Sequence, residues 1–412
     1  MMFVIYEKEK TKAPIKVWVK DRESIEESCL EQAYNLSNLP FIHQWVSLMP
    51  DTHTGMGMPI GGVIATEDIV IPHAVGSDIG CGMIFVKTNI EAELLKSVQT
   101  GNGVLMQAII GSVQRSVPVG RAHHNKMKPS KVIDEAMKNI EKYMKAPTLV
   151  PQIEDAYYQI GTLGGGNHFI EFQEDEAGKV GIMIHTGSRH FGKQIGDHFN
   201  QIAKDLNQTW YSSVPEEYNL AFLPTRSEEG RLYLEYMNLA LDFAEENREK
   251  ILEAVMETVS ALVKKHCDID VVYTNKINVH HNYAAMEIHY GKNVWVHRKG
   301  AIRAGVGEKG IIPGAMGSYS YIVEGKGNPE SFESCSHGAG RVYSRTEAKK
   351  NYSVEKVMCD LKDQQVILGK KNKKDVAEEC RFAYKNIDEV IENQLDLITP
   401  IKKLKTIGVI KG

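Results

Sequence analysis

The chain has 412 residues, of which 42% are hydrophobic and 25% are charged. This is the composition of a folded globular protein, and it excludes a disordered or fibrous chain. The net charge is −4, so the overall charge gives no indication of nucleic-acid binding. Binding of RNA or DNA would need a local basic patch.

The cysteines and the N-terminal segment indicate the compartment. Six cysteines are scattered along the chain without a Cys-x-x-Cys pair, which is typical of a reducing environment rather than a disulfide framework. Residues 1–7 turn charged too soon for a signal peptide, and no stretch approaches the roughly 18 apolar residues of a membrane span. We therefore expect a cytoplasmic protein with no membrane association.

Short apolar runs between glycine-rich turns predict β-strands. In chain order these runs are Val46–Met49, Gly62–Ala65, Ile84–Val86, Gly181–His185, Val294–His297 and Tyr319–Val323. Apolar residues at three- and four-residue spacing predict helices over Ser24–Leu36, over Glu228–His266 as one helix or two, and over Asp375–Leu397. The first of these helices would open with a capping box formed by Ser24 and Glu27.

The domain organisation follows from what separates these elements. The chain contains no linker rich in proline or serine and no internal repeat. Helical and strand patterns alternate along it, which favours an α/β chain with mixed α+β structure. We expect a single large domain over residues 1–412.

Glycines cluster where ligand-type side chains also cluster. The glycine-rich segments with His, Asp, Asn or Cys are Asp51–Gly62, Gly76–Gly82, Gly164–Glu171, His185–Arg189 and Ser336–Arg341. Glycine allows a backbone to approach a ligand closely, and successive N–H groups in such turns can bind phosphate oxygens. One such loop is a weak signal, but several together indicate a binding site.

Five of the side chains in or near these loops are candidate metal ligands: Asp78, Cys81, His168, His185 and His281. Taken singly, each is ambiguous. Asp78 and Cys81 are better interpreted as a turn cap and a small buried side chain, and His168 as a turn residue, whereas His185 ends an apolar strand where side chains commonly reach a cleft. Their joint occurrence favours a metal site. Two ions bridged by the Cys81 thiolate would keep coordination positions open for substrate. The donor types do not select the metal.

His337 stands apart from the metal candidates because glycines that could approach a nucleotide follow it directly. An imidazole at this position could act as a ligand, a base or a nucleophile, and the residues alone do not rank these roles. A turn histidine bonded to nearby backbone is the alternative.

Seven motifs follow one another along the chain: Asp78–Gly82, Gly166–Phe169, His185–Arg189, His280–Asn282, Pro313–Gly317, His337–Arg341 and Gly408–Gly412. As a set they resemble the RtcB family of GTP-dependent RNA ligases, from about Met49 to the C-terminal motif. The chain is similar to the shorter bacterial form of the family.

The resemblance implies central β-sheets flanked by helices around a deep metal- and nucleotide-binding cleft. It implies an RNA ligase that uses GTP and manganese to join 3′-phosphate or 2′,3′-cyclic phosphate ends to 5′-hydroxyl ends, in tRNA splicing or RNA repair. By the same resemblance, one Mn²⁺ is held by Asp78, Cys81 and His168, and a second by Cys81, His185 and His281. His337 matches the residue that becomes guanylylated.

The resemblance also implies which residues contact the guanylate. These positions are Asn167, His168, Phe169, Ile170, Glu171, His281, Asn282, Pro313, Gly314, Ala315, Met316, Ser320, His337, Gly338, Ala339, Gly340 and Lys411. Glu171 would read the guanine edge, and Arg189 and Arg341 match positions that handle phosphates. Asp51 matches a position important for activity, with no role assigned to it. Two features depart from the family pattern: Ala315 stands where a serine is common, and Asp-Thr-His replaces the commoner Asp-Val-His.

RNA binding by a chain of negative net charge needs local cations. The candidates are Arg189, Arg341 and Arg345, together with a cluster formed by Arg298, Lys299, Arg303 and Lys309. The alternative interpretation of that cluster is a solvated loop face.

Two other functions share part of this pattern. A binuclear metal-dependent phosphoesterase acting on RNA ends would use the same metal ligands without a nucleotide pocket, and Lys411 and the His337 loop argue against it. A non-catalytic RNA- or nucleotide-binding relative would have lost ligands, and the intact set argues against that. We expect a monomer, and the need for an activating protein partner stays open.

Overall fold

The structure is a computed structural model that describes residues 2–370 and 372–412. Its strands in chain order are β1 (Phe3–Ile5), β2 (Ile15–Val17), β3 (Ile42–His53), β4 (Ile60–Thr66), β5 (Ile69–Val70), β6 (Gly82–Glu91), β7 (Gln99–Thr100), β8 (Gly103–Val104), β9 (Phe169–Glu174), β10 (Lys179–Thr186), β11 (Leu223–Pro224), β12 (Tyr273–His280), β13 (Asn282–His289), β14 (Lys292–Lys299), β15 (Ala301–Arg303), β16 (Lys309–Ile312), β17 (Tyr319–Gly325), β18 (Ser334–Ser336), β19 (Ile367–Gly369) and β20 (Ile398–Lys411).

The α-helices lie between these strands and cover the sheets. They are α1 (Glu27–Ser37), α2 (Pro72–Val75), α3 (Ala92–Ser97), α4 (Leu105–Ser116), α5 (Lys131–Lys138), α6 (Val150–Gln159), α7 (Arg189–Thr209), α8 (Glu228–Cys267), α9 (Arg345–Asn351), α10 (Val354–Asp363) and α11 (Ile387–Glu392). Among the described residues, no helix is long and apolar enough to cross a bilayer.

The larger sheet is buried on both faces. Its strand order is β12-β6-β10-β9-β20-β17-β16, with β19 added parallel to β20 and the other pairs antiparallel. Because side chains alternate along a strand, Ile84 and Ile184 face α4 and α8. Met83 and Met183 on the opposite face pack near α10.

The smaller sheet has the strand order β1-β2-β3-β4-β14-β13. One of its faces packs on α1. Its other face contributes Val63 and Val296 to a core shared with Ile312 and Val323 of the larger sheet. The chain passes from one sheet to the other at His281, the single residue between β12 and β13.

The predicted mixed α+β architecture is confirmed, and each apolar run predicted as a strand lies inside one. The segment 228–266 forms one helix, α8, which ends one residue further on, at Cys267. The predicted capping box is wrong. The helix begins at Glu27 without a side-chain cap, because Ser24 closes an earlier 3₁₀ turn that Asp21 caps.

The helix predicted over Asp375–Leu397 is also wrong. The segment forms two 3₁₀ turns and the short helix α11. Its apolar residues Val376, Ala377 and Cys380 pack from these turns into the core beside α10. Tertiary packing outweighs the helical spacing here, as it commonly does for short segments.

Candidate active site

Four neighbouring strands of the larger sheet bring candidate metal ligands to the same end. Cys81 directly precedes β6, His168 directly precedes β9, His185 lies near the end of β10, and His281 directly follows β12. Since adjacent antiparallel strands run in opposite directions, the starts of β6 and β9 meet the ends of β10 and β12. His185 accordingly pairs with Phe169, the residue after His168.

The five side chains form one continuous cluster. His168 Nε2 lies 3.0 Å from Asp78 Oδ2 and 3.4 Å from Cys81 Sγ. His185 Nε2 lies 3.3 Å from Cys81 Sγ and 3.0 Å from His281 Nε2. Cys81 therefore stands between two histidines, the position that a thiolate bridging two ions would occupy.

The histidines are oriented as metal ligands. The Nδ1 atoms of His168 and His185 lie 3.0 and 3.1 Å from the carbonyl oxygens of Leu163 and Asn167. A carbonyl accepts the Nδ1 proton and leaves the Nε2 lone pair directed into the cluster, as at many metal sites. Burial lowers the pKa of both His185 and His281 well below the ordinary value. These two imidazoles are therefore neutral and able to coordinate a cation.

The anionic members of the cluster also suit a cation. Burial, together with Asp78, raises the pKa of the Cys81 thiol well above its ordinary value, and a bound cation would reverse this shift and stabilise the thiolate. The buried Asp78 Oδ1 has no hydrogen-bond partner among the described residues. An unsatisfied buried oxygen is costly, and metal coordination would satisfy it. A thiolate, a carboxylate and neutral imidazoles fit a divalent transition metal.

His337 follows β18 and meets the smaller sheet at Asp51. Its Nδ1 lies 2.7 Å from Asp51 Oδ2, and the same oxygen accepts the backbone N–H groups of His337 and Gly338 at 3.2 Å. Gly340 has φ +74°, and a Cβ there would lie 2.2 Å from the Asp51 carbonyl oxygen, so this close approach requires glycine. The His337 ring centroid is 4.6 Å from that of His281, which places His337 against the metal-ligand cluster.

A cavity of about 160 Å³ opens beside His337. The predicted guanylate-binding residues that line it are Asn167, Phe169, Glu171, Pro313, Gly314, Ala315, Met316, His337, Gly338, Ala339, Gly340 and Lys411. Glu171 is buried and accepts hydrogen bonds from Gln173 Nε2 at 2.8 Å and Thr406 Oγ1 at 3.1 Å. Burial raises the pKa of Glu171 to about 7. The carboxyl group is thus close to its midpoint at neutral pH.

Five predicted guanylate contacts lie outside this lining. Two of them, His168 and His281, belong to the metal-ligand cluster. The Ile170 side chain points to the opposite face of β9 and packs in the core beside α4 and α8. Ser320 is buried behind the cavity and accepts the Gly314 N–H at 3.2 Å. Asn282 donates to the Asp78 carbonyl oxygen and accepts the Gly300 N–H. Ser320 and Asn282 therefore support the walls of the site, while Ile170 belongs to the core.

Sequence reasoning missed Glu379 and Tyr384, which also line this cavity. Glu379 Oε2 lies 3.2 Å from Lys411 Nζ and accepts the Tyr384 hydroxyl at 2.7 Å, and its other oxygen is 3.4 Å from Arg341 Nη1. Burial opposes ionisation of Glu379, but the charge of Lys411 holds its pKa below the ordinary value. The segment resembled an ordinary helix, so its sequence carried no sign of this role.

Arg189 lies at the start of α7, on the other side of the metal-ligand cluster. Its Nε donates to Thr162 Oγ1 at 3.2 Å, and its side chain lines a cavity of about 850 Å³ that reaches Asp78. Further basic side chains on this wall are Arg121, His123, His190 and Lys193. The same lining carries the acidic side chains Asp155 and Asp375, so the cavity is an entrance of mixed charge to the cluster. Of its basic residues, only Arg189 was predicted from the sequence.

The predicted RNA-binding cluster around residue 298 is wrong for its first two members. Arg298 is fully buried and paired with Glu287. Lys299 is also buried, which lowers its pKa to about 7. Because side chains alternate along β14, Arg298 and Lys299 lie on opposite faces, and both faces are covered here: Arg298 contacts Ser334, and Lys299 contacts the carbonyl oxygen of His73. The remaining exposed members pair with acidic side chains: Arg303 with Glu308 and Glu333, and Lys309 with Glu324.

Comparison with known proteins identifies the family. A sequence model described as "tRNA-splicing ligase RtcB" matches residues 32–412. The chain belongs to the RtcB family. It is 39% identical to the RNA-splicing ligase RtcB of Escherichia coli K12, over 97% of this chain and 98% of that protein.

More distant RtcB proteins match along the same length. Identity is 32% to the tRNA-splicing ligase RtcB of Methanococcus maripaludis, over 95% of this chain and 92% of that protein. It is also 32% to the RNA-splicing ligase RtcB of Mycobacterium tuberculosis, over 92% of this chain and all of that protein. The predicted membership of the RtcB family is confirmed, and with it an enzyme of a ligase family.

Proposed function

We propose that the protein is a GTP- and manganese-dependent RNA ligase that joins 3′-phosphate or 2′,3′-cyclic phosphate ends to 5′-hydroxyl ends through a guanylate on His337. One observation carries the proposal. His337 stands between the metal-ligand cluster and the cavity that holds Glu171, with its Nδ1 bonded to Asp51. The RtcB family membership supports the same reaction class.

The hydrogen bond to Asp51 prepares His337 as a nucleophile. A buried carboxylate holds the proton on Nδ1, so Nε2 keeps its lone pair. In the proposed first step, Nε2 attacks the α-phosphorus of GTP, an N–P bond forms, and pyrophosphate leaves with the electrons of the broken P–O bond. The imidazolium that develops is stabilised by the Asp51 charge.

The residues around His337 bind the rest of the nucleotide. Ionised Glu171 would accept the N–H groups of the guanine edge. Lys411 would neutralise phosphate charge, exchanging its contact with Glu379 for the nucleotide. Two divalent cations at the cluster of Asp78, Cys81 and the histidines would supply charge neutralisation for the reacting phosphates.

The later steps use the same site. An oxygen of the RNA 3′-phosphate attacks the α-phosphorus, the N–P bond breaks, and His337 is regenerated as a neutral imidazole. The 5′-hydroxyl oxygen then attacks the activated 3′-phosphate, its proton is lost, and GMP leaves. A cyclic phosphate would first be opened by water. We place the RNA strand in the large cavity beside the cluster, where Arg121, Arg189 and Lys193 would contact its phosphates.

A ligation assay with defined RNA ends tests this proposal. Oligonucleotides ending in 3′-phosphate and 5′-hydroxyl should be joined in the presence of GTP and Mn²⁺, and not with ATP. The matched pair ending in 3′-hydroxyl and 5′-phosphate should stay unjoined. Removal of the phosphate without GTP and without joining would instead indicate the binuclear phosphoesterase, and joining of the 3′-hydroxyl pair would contradict the proposal.

A further inference from the structure

Two adjacent residues of α8, Asn247 and Arg248, are fully buried although both are strongly polar. They lie near the middle of a 40-residue helix, whose ends are held by other parts of the fold. Buried polar side chains persist where they satisfy several partners. The partners of this pair all belong to chain segments that carry the candidate metal ligands.

Arg248 joins three of these segments with one guanidinium group. Its Nη1 donates to the carbonyl oxygens of Gly80, at 2.8 Å, and of Thr186, at 3.1 Å. Gly80 directly precedes Cys81, and Thr186 directly follows His185. On the third segment, Nη2 lies 3.0 Å from Nδ1 of His280, and Nε donates to Asn278 Oδ1 at 2.7 Å. His280 is the residue before His281.

Asn247 joins the segment of the remaining histidine to that of His185. Its Oδ1 accepts the N–H groups of Gly161 and Thr162 at 2.7 and 3.2 Å. Its Nδ2 donates to the carbonyl oxygens of Thr162, at 3.2 Å, and Gly187, at 3.1 Å. Leu163, which directly follows Thr162, provides the carbonyl oxygen that orients the His168 ring.

The charge of Arg248 also indicates a role at the metal-ligand cluster. Within residues 2–370 and 372–412, no carboxylate oxygen lies within 4.0 Å of its guanidinium nitrogens, whereas the other fully buried arginine, Arg298, is paired with Glu287. An unpaired buried cation is costly. Asp78, Glu245 and Glu249 contribute negative charge around Arg248, and its own charge would complement the Cys81 thiolate that a bound cation stabilises.

We propose that Asn247 and Arg248 are positioning residues that hold the four ligand-bearing segments in the geometry required by divalent cations. The helix α8 holds the two side chains in place. Their hydrogen bonds fix the spacing of the segments that carry Cys81, His168, His185 and His281. This inference rests on the metal-binding part of the proposed function, and it does not depend on GTP or RNA.

Titration of the purified, metal-free protein with Co²⁺ tests the inference, with the near-ultraviolet absorption of a Co²⁺–thiolate bond as the readout. Arg248→Lys keeps the charge but cannot reach all the partners of the guanidinium, and Asn247→Ser removes the amide. Each should weaken Co²⁺ binding about 10- to 100-fold. The matched control is Tyr236→Phe, which removes a buried hydrogen bond to the Tyr143 carbonyl elsewhere on α8 and should leave Co²⁺ affinity unchanged.

The melting temperature of each metal-free variant separates positioning from general stability. If Arg248→Lys and Asn247→Ser lower the melting temperature but bind Co²⁺ as tightly as the wild type, the inference is overturned. If Arg248→Lys does not fold, the Co²⁺ affinity and the melting temperature of Asn247→Ser are compared with those of the wild type in the same way. A wild-type protein that shows no thiolate band with Co²⁺ would contradict the proposed metal site itself, whereas equal affinities in all the proteins would contradict only the role of this pair.

Discussion

Asp51 Oδ2 lies 2.7 Å from His337 Nδ1 and also accepts two backbone N–H groups of the His337 loop. One buried oxygen from the smaller sheet thereby fixes both the loop and the tautomer of the imidazole. This contact gives Asp51 a role that its position in the sequence did not reveal. Asp51 does not line the cavity itself, so we expect its main effect on the reactivity of His337 rather than on the affinity for a nucleotide.

Asp51→Asn should slow guanylylation by about 100-fold or more, within the range typical of a lost proton-holding group. An asparagine oxygen can still accept the loop N–H groups and the Nδ1 proton, but it carries no charge to stabilise the imidazolium that develops during attack. The measurement is the single-turnover rate of label transfer from α-labelled GTP. The dissociation constant of GMP serves as the control and should change little. A rate within about threefold of the wild type would contradict this role.

The raised pKa of Glu171 predicts a pH dependence of nucleoside binding. The guanine edge requires the ionised carboxylate, whose pKa is about 7 in the free protein. Guanosine affinity should therefore rise about tenfold per pH unit below pH 7 and level off above it. Guanosine is the appropriate probe because it carries no phosphate to titrate, and calorimetry between pH 5.5 and about 8 gives the profile.

Glu171→Gln is the control for that profile. The amide does not ionise in this range, so guanosine affinity should be weaker at pH 8 and independent of pH. The variant should also gain thermal stability relative to the wild type as the pH rises from 4.5 to about 7, because over this interval the unfolded wild type loses the Glu171 proton that the folded wild type still holds. A wild-type affinity that falls with rising pH would contradict the assignment.

Ala315→Ser should tighten GMP binding. Ala315 lines the cavity in which we propose that the nucleotide binds, and a hydroxyl there can form one additional neutral hydrogen bond. A gain of about 0.5–1.5 kcal/mol corresponds to an affinity about 2- to 12-fold higher. Equilibrium titration with GMP measures it, and Ala315→Gly, which adds no hydroxyl, should not tighten binding. A weaker affinity of the serine variant would show that position 315 does not face the nucleotide.

Arg298→Ala should destabilise the fold rather than weaken RNA binding. Removal of Arg298 leaves Glu287 as a buried charge without its partner, which costs about 3–5 kcal/mol. Urea unfolding measures the loss. Arg303→Ala on the half-exposed neighbour of the same carboxylate should cost about 1 kcal/mol or less. An Arg298→Ala protein of unchanged stability and lower RNA affinity would restore the RNA-contact interpretation.

Much of the candidate site could be predicted because its residues combine rare chemistry with glycine-rich loops. Cys81, His168 and His185 lie at strand ends, where a ligand-type side chain next to a short apolar run is visible in the sequence. The antiparallel register then brings these ends together. The six strands β3, β4, β6, β10, β14 and β17 were predictable because each contains a short apolar run.

The residues that sequence reasoning missed share a different property. Asn247 and Arg248 lie within a long helix whose pattern resembles an ordinary solvated helix, and Glu379 lies in a segment with helical spacing. Their partners are distant in sequence, so only the folded contacts show what they do. Arg298 was misinterpreted for the same reason, since its partner Glu287 is recognisable only once β13 and β14 are paired.

Intact-protein and peptide mass spectrometry after incubation with GTP and Mn²⁺ tests the central claim most directly. The account predicts one acid-labile GMP per chain, located on His337, absent from His337→Ala and retained in His266→Ala, whose histidine lies in the last turn of α8. A GMP adduct on another residue, or equal labelling of His337→Ala, would contradict the account.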